Sequence, residues 1–254
     1  MRPFAQKLNG LLQNLSAAQV DGQGDNWYSA VREENRILII AVSSDRGLCG
    51  SFNSTIFKGV NRLIEERYAR QFALGNVSIL TIGKKAGDYF SKRKCTVVGD
   101  YTMLFSTLSF DNVARAAEYV MESFRLGRYD KVELVYNEFK NVATQILRTE
   151  QFLPILPPES SSQAGQVVDY IYQPGQEEII TSLIPQSLKV QLYKAVLDSN
   201  AAENGARMTA MDKATENAGE LLRELRLTYN RTRQAAITKE ILEIVGGAEA
   251  LKSS

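Results

Sequence analysis

Residues 211–236, MDKATENAGELLRELRLTYNRTRQAA, decide how this chain is read. Met211, Thr215, Ala218, Leu222, Leu225, Tyr229, Thr232 and Ala236 step alternately by four and three, the heptad period of a left-handed coiled coil. Between them stand Lys213, Glu216, Glu220, Arg223, Glu224, Arg226 and Arg231. A narrow seam on an otherwise charged helix suits a rod with one partner helix, because a core helix shows a wider apolar face. The flanks extend the pattern. From Gln176 to Val245, Pro185, Gly205 and Gly219 alone interrupt a stretch rich in Ala, Leu, Glu, Lys, Arg and Gln, all good helix formers. Sixty residues of helix from Pro185 would run about 90 Å at 1.5 Å per residue. A compact domain of this size is roughly 35 Å across, so the helix is expected to project from its own domain. The competing reading is two or three shorter helices broken at Gly205 and Gly219.

Upstream, the pattern changes from rod to sheet. Ile37 to Val42 is an unbroken apolar run, as in a strand covered on both faces. A helix is expected over Phe52 to Tyr68, a strand over Val77 to Ile82 and a second helix over Gly83 to Lys92. A third helix opens at Phe110 or Asp111, with Asp111 as its cap, and is followed by strands at Lys131 to Phe139 and Ala143 to Leu153. Alternation of strand and helix implies an open, mainly parallel, Rossmann-like α/β sheet with helices on both faces. Residues 1–15 carry the spacing of a short amphipathic helix, and Pro154 to Gln166 reads as a loop, followed by the extended VVDYIYQP. The expected division is therefore a helical piece at 1–20, an α/β domain over 30–175 and a long helix over 176–254.

Composition removes much of the enzyme repertoire. The 254 residues include no histidine, which excludes His-based triads, His metal sites and His pH switches. Lys and Arg total 30 against 29 Asp and Glu, so no broad field draws the chain to nucleic acid or anionic lipid. Cys49 and Cys95 are too few for a zinc site or a disulfide framework, and a reducing compartment is the simpler expectation. No stretch approaches the ~20 apolar residues of a membrane span, so membrane association is expected to go through other proteins. MRPFAQKLNGLLQNL has no signal-peptide pattern.

One turn invites a chemical reading. SSDRGLCGSFN, residues 43–53, joins a strand to a helix, where phosphates bind in many α/β folds. It lacks the Gly-Lys-Ser/Thr of a P-loop, and Gly47 and Gly50 do not complete G-x-G-x-x-G. A tight turn with close helix–strand approach is the plainer account, and Cys49, without a histidine base, reads as a small buried residue. The basic groups Lys84, Lys85, Lys92, Arg93 and Lys94 have no interleaved aromatics and read as solvated helix ends. No cofactor and no metal is expected.

Several segments carry a family resemblance. ITKEILEIVGGAEA, Ile237 to Ala250, resembles the C-terminal signature of the gamma subunit of rotary F-type ATP synthases at Ile237, Thr238, Glu240, Glu243, Gly247, Ala248 and Ala250. The preceding ARMTAMDKATENAGELLRELRLTYNRTRQAAIT, the SSDRGLCGSFN turn and YIYQP are similar to the same subunit, and the likeness runs from Arg2 to Leu251. It implies a non-catalytic rotor subunit that couples proton flow through a membrane ring of c subunits to ATP synthesis or hydrolysis in an alpha–beta hexamer. Its expected partners are the alpha, beta and epsilon subunits and the c ring, with no nucleic acid. The expected place is the cytoplasmic face of a bacterial inner membrane, held peripherally. The resemblance assigns Arg233, Gln234, Thr238 and Glu240 to contact with a beta subunit, and Arg207 and Met208 to coupling near the base of the shaft. Tyr170, Tyr172 and Gln173 fall at the c-ring contact, and Gln173 stands where some relatives carry an acid. Family members usually begin with a longer N-terminal helix, so most of the seam's partner is expected to be missing from residues 1–20. A flavodoxin-like or Rossmann-like enzyme using the DRGLCGSFN turn for phosphate is the alternative.

Overall fold

A computed structural model of the chain describes residues 27–93, 95–155 and 176–252. In chain order it contains β1 (Ile37–Val42), α1 (Phe52–Arg67), α2 (Ala69–Ala73), β2 (Val77–Ile82), α3 (Lys84–Ser91), β3 (Thr96–Val98), α4 (Phe110–Arg125), β4 (Lys131–Phe139), β5 (Gln145–Leu153) and α5 (Gln176–Lys252). The sheet order is β3-β2-β1-β4-β5. β1 pairs in parallel with β2 and β4, and β2 with β3, while β5 returns antiparallel along β4. A mainly parallel open sheet with a long C-terminal helix is thus observed, as expected. The chain divides into two compact units, one from Met1 to Met208 and another from Thr209 to Ser254.

The run Ile37–Val42 is central because it can be dry on both faces. All six residues are buried. Leu38, Ile40 and Val42 join one cluster, with Val113, Val120 and Phe124 of α4. Ile37, Ile39 and Ala41 join the other, with Ile56, Val60 and Ile64 of α1 and Phe90 of α3. Period-two alternation sends successive side chains to opposite layers, so one strand serves both.

The first half of α5 completes the unit that holds the sheet. Ile184, Leu188, Leu192, Ala195, Ser199, Ala202 and Ala206 are buried and fall on one stripe at spacings of three or four. Lys189 pairs with Glu118 of α4. From Met211 to Glu249 every residue is exposed, including Leu225 at 56% and Tyr229 at 67%. The helix is continuous across Gly205 and Gly219, so the broken-helix alternative is not observed.

Other differences are local. The cap of α4 is Ser109, whose hydroxyl accepts from Asn112 N at 3.3 Å, and not Asp111, which lies inside the first turn. The last strand begins at Gln145 because Lys140 N and Asn141 N both donate to Thr144 O, closing the hairpin at 3.3 and 3.2 Å. β3 is only three residues long, and no apolar run announces it. Gly83, with φ +97, leads β2 into α3, and a Cβ there would collide with the Ser43 carbonyl. The expected N-terminal helix, most of the 154–166 loop and VVDYIYQP lie outside the described residues.

Candidate functional site

The SSDRGLCGSFN turn sits at the carboxyl end of β1 and is closed on itself. Asn53 Oδ1 accepts from Ser44 N at 3.0 Å, and Asn53 Nδ2 donates to Ser44 Oγ at 2.7 Å and to Cys49 Sγ at 3.2 Å. Ser44 Oγ in turn donates to Arg46 O at 2.6 Å. Ser43 Oγ accepts from Ala86 N at 2.8 Å, and Asp45 Oδ1 from Lys84 N at 3.0 Å, tying the turn to the start of α3. Leu48 (φ 63) and Gly50 (φ 57) supply the left-handed residues such a tight path requires. Cys49 is 2% exposed. Burial raises the other thiol, Cys95, above its ordinary value, the opposite of what a nucleophile needs. The side chains of Ser43, Ser44, Asp45 and Asn53 are thus held by other atoms of the turn and by the start of α3. Among the described residues no cluster of His, Cys, Asp or Glu has the arrangement of a metal site.

The surface of α5 carries the remaining candidates. Arg233, Gln234, Thr238 and Glu240 are all exposed within about two turns. Arg233 and Glu240 are seven apart and share one face, while Gln234 and Thr238 are four apart on the neighbouring one. Beside them Lys239 and Glu243 approach to 3.8 Å. Thr215 and Thr232 turn their hydroxyls back to the carbonyls of Met211 and Thr228, at 3.0 and 2.9 Å, so the seam shows mostly methyl and apolar surface.

Arg207 and Met208 occupy the end of the unit that contains the sheet, and they differ. Met208 is 59% exposed. Arg207 Nη2 lies 2.6 Å from Glu203 Oε1, and its Nη1 donates to Asn204 Oδ1 at 3.4 Å. Glu203 is only 8% exposed. Burial pushes its carboxyl up, and the Arg207 guanidinium opposes that shift. Sequence reasoning misses Glu203, because its signal, Glu four before Arg, is also that of an ordinary surface pair. Tyr170, Tyr172 and Gln173 lie outside the described residues.

A sheet domain packed on one stripe of a long helix, Ile184 to Ala206, with every residue from Met211 to Glu249 exposed, is the make-up of a subunit of a larger assembly. Comparison with known proteins specifies which. A family model described as ATP synthase matches residues 1–251. The ATP synthase gamma chain of Cytophaga hutchinsonii is 57% identical over 255 residues, covering 100% of this chain and 86% of the relative. That of Flavobacterium johnsoniae is 53% identical, covering 99% and 85%. Among solved structures, a chain of the Euglena gracilis mitochondrial ATP synthase OSCP/F1/c-ring assembly matches with TM-score 0.61 at 21% identity, covering 98% of this chain and 90% of that one. The chain belongs to the ATP synthase gamma chain family, the rotor subunit of that enzyme's central stalk. The alternative, a flavodoxin-like or Rossmann-like enzyme using the DRGLCGSFN turn for phosphate, is not supported: the relatives are gamma chains.

Proposed function

We propose that the chain works as a non-catalytic axle. Its domain over residues 30–175 serves as the foot on an ion-driven c ring, with an epsilon subunit beside it, and residues 176–254 form the shaft within an alpha–beta hexamer. The observation that supports this best is the unbroken α5 with all residues from Met211 to Glu249 exposed. In water alone such a surface gains nothing from its heptad seam. Within a sleeve of other chains, an exposed helix presents a different set of groups at each angle. Only such differential contact shifts a neighbour's equilibrium, since equal affinity for two states shifts nothing.

Arg233, Gln234, Thr238 and Glu240 are proposed as the angle-dependent contacts with a beta subunit. Their two adjacent faces offer a cation with a carboxylate on one side and an amide with a hydroxyl on the other. Arg207 and Met208 are proposed to act in coupling, and Tyr170, Tyr172 and Gln173 to face the ring. The proposed place is peripheral, on the cytoplasmic face of a bacterial inner membrane. Among the described residues no helix is long and apolar enough to cross a membrane.

Co-purification from solubilised membranes tests the axle. Alpha and beta subunits are expected in threefold excess over this chain, and the purified chain alone is expected to hydrolyse no ATP. Recovery without alpha and beta would sink the reading. For the contacts, Arg233→Ala with Gln234→Ala is expected to lower steady-state ATP hydrolysis several-fold in a complex that still assembles, read by a coupled-enzyme assay. Unchanged turnover would remove these two residues from the site.

A further inference from the structure

The buried stripe of α5 shrinks along its length, from Ile184 and Leu188 to Ala202 and Ala206. Smaller side chains let a helix approach its support more closely, and at Gly205 the neighbouring atoms leave little room for any side chain. A Cβ at that position would lie 3.2 Å from Phe139 Cε2, 3.4 Å from Val142 Cα and 3.5 Å from Val142 O. Two of these three atoms are backbone of the β4–β5 turn. That turn is itself braced: Thr144 N donates to Asn141 O at 3.2 Å, Gln145 Nε2 to Val142 O at 3.1 Å, and Arg148 Nε to Glu138 Oε2 at 2.6 Å. One residue after the Glu203–Arg207 pair, Met208 is exposed, so Gly205 stands in the last buried turn of the helix.

We infer that Gly205 and the β4–β5 turn form the joint through which turning force passes between the sheet domain and α5. The inference rests on the rotor reading. Contacts made by long side-chain tips yield under load because the rotamers can change. A close contact against hydrogen-bonded backbone has no such slack, and close-packed interiors transmit strain. Glycine inside a helix gives up about 1 kcal/mol relative to alanine, a cost that close approach explains here and backbone conformation does not. Gly205 is therefore a positioning residue for coupling.

The test uses the assembled membrane complex containing the full chain, with ATP hydrolysis and proton pumping measured on the same vesicles. Gly205→Leu wedges the helix off the turn. Hydrolysis within twofold of the parent, with pumping per ATP reduced at least fivefold, is the expected result. Val142→Ala keeps the backbone that makes the contact and should leave the ratio unchanged. Gly205→Ala, the milder variant if the leucine chain fails to assemble, adds one methyl against the Phe139 ring edge. It should lower pumping per ATP about twofold, with recovery on adding Phe139→Leu. Equal loss of assembly, hydrolysis and pumping in the Gly205 variants would mean a purely structural role and overturn the joint, as would unchanged pumping per ATP or no recovery with Phe139→Leu. A parent complex that hydrolyses ATP and never pumps would instead overturn the rotor reading, and the joint with it.

Discussion

Gly83 and Glu203 are single residues whose surroundings set their roles. At Gly83 the chain takes φ +97 against the Ser43 carbonyl, so any side chain meets both an unfavourable backbone region and fixed backbone atoms. Gly83→Ala is expected to destabilise the chain by about 2–3 kcal/mol in urea unfolding followed by circular dichroism. Glu203 is held with its carboxyl raised by burial while Arg207 pulls it back. A raised folded-state carboxyl means proton uptake favours folding, so its ionisation costs stability as the pH climbs above the ordinary carboxylate range. Removing the cation in Arg207→Gln enlarges that cost. The variant is expected to be about 1–2 kcal/mol less stable than the parent at pH 7. The gap should narrow as pH falls through the raised value and close once the pH is below the ordinary carboxylate range, where Glu203 is protonated folded and unfolded alike. A gap independent of pH would mean that Arg207 acts through packing alone.

The long helix combines two kinds of support. From Ile184 to Ala206 it is stabilised by a buried stripe, and from Met211 to Glu249, where every residue is exposed, by its own hydrogen bonds. A methyl group placed on Gly219 would meet no atom within 4 Å, so packing gives no reason for glycine there. Gly219→Ala should stabilise the local helix by about 1 kcal/mol, seen as roughly fivefold slower amide exchange around residue 219. Slower exchange confined to residues far from that turn would contradict the account. The hairpin shows the same dependence on context at shorter range: Arg148 and Glu138, ten residues apart in sequence, meet at 2.6 Å because β4 and β5 are in register.

At the scale of the molecule, two units share one helix but differ in what protects them. The unit through Met208 has two packed layers around β1; the unit from Thr209 has exposed side chains, with Lys213, Arg223, Arg226, Arg231 and Arg233 open to trypsin. Brief digestion of the isolated chain is expected to trim the segment after Thr209 and spare the sheet, as fragment masses would report. First cuts within residues 37–153 would reverse that order of stability. The same asymmetry fits the proposed axle, a packed sheet domain continued by a helix whose exposed groups are left for other chains to meet.

Residue order was enough to read the periodicities: an apolar run covered on both faces at β1 and a heptad step from Met211 to Ala236, while the unbroken helix through Gly205 and Gly219 was decided by the structure. Those are local, repeated signals, and repetition makes them legible. Residue order also carried the family, because the signature Ile237 to Ala250 is contiguous. The three-residue edge strand β3 and the Ser109 cap escaped it, since neither has a repeat to read. It took the packed chain to show that Glu203 beside Arg207 is buried, that the DRGLCGSFN turn engages its own polar groups, and that Gly205 lies against the β4–β5 backbone. Each depends on how closely neighbouring elements pack, to within a few ångströms, and chain order alone does not set that distance.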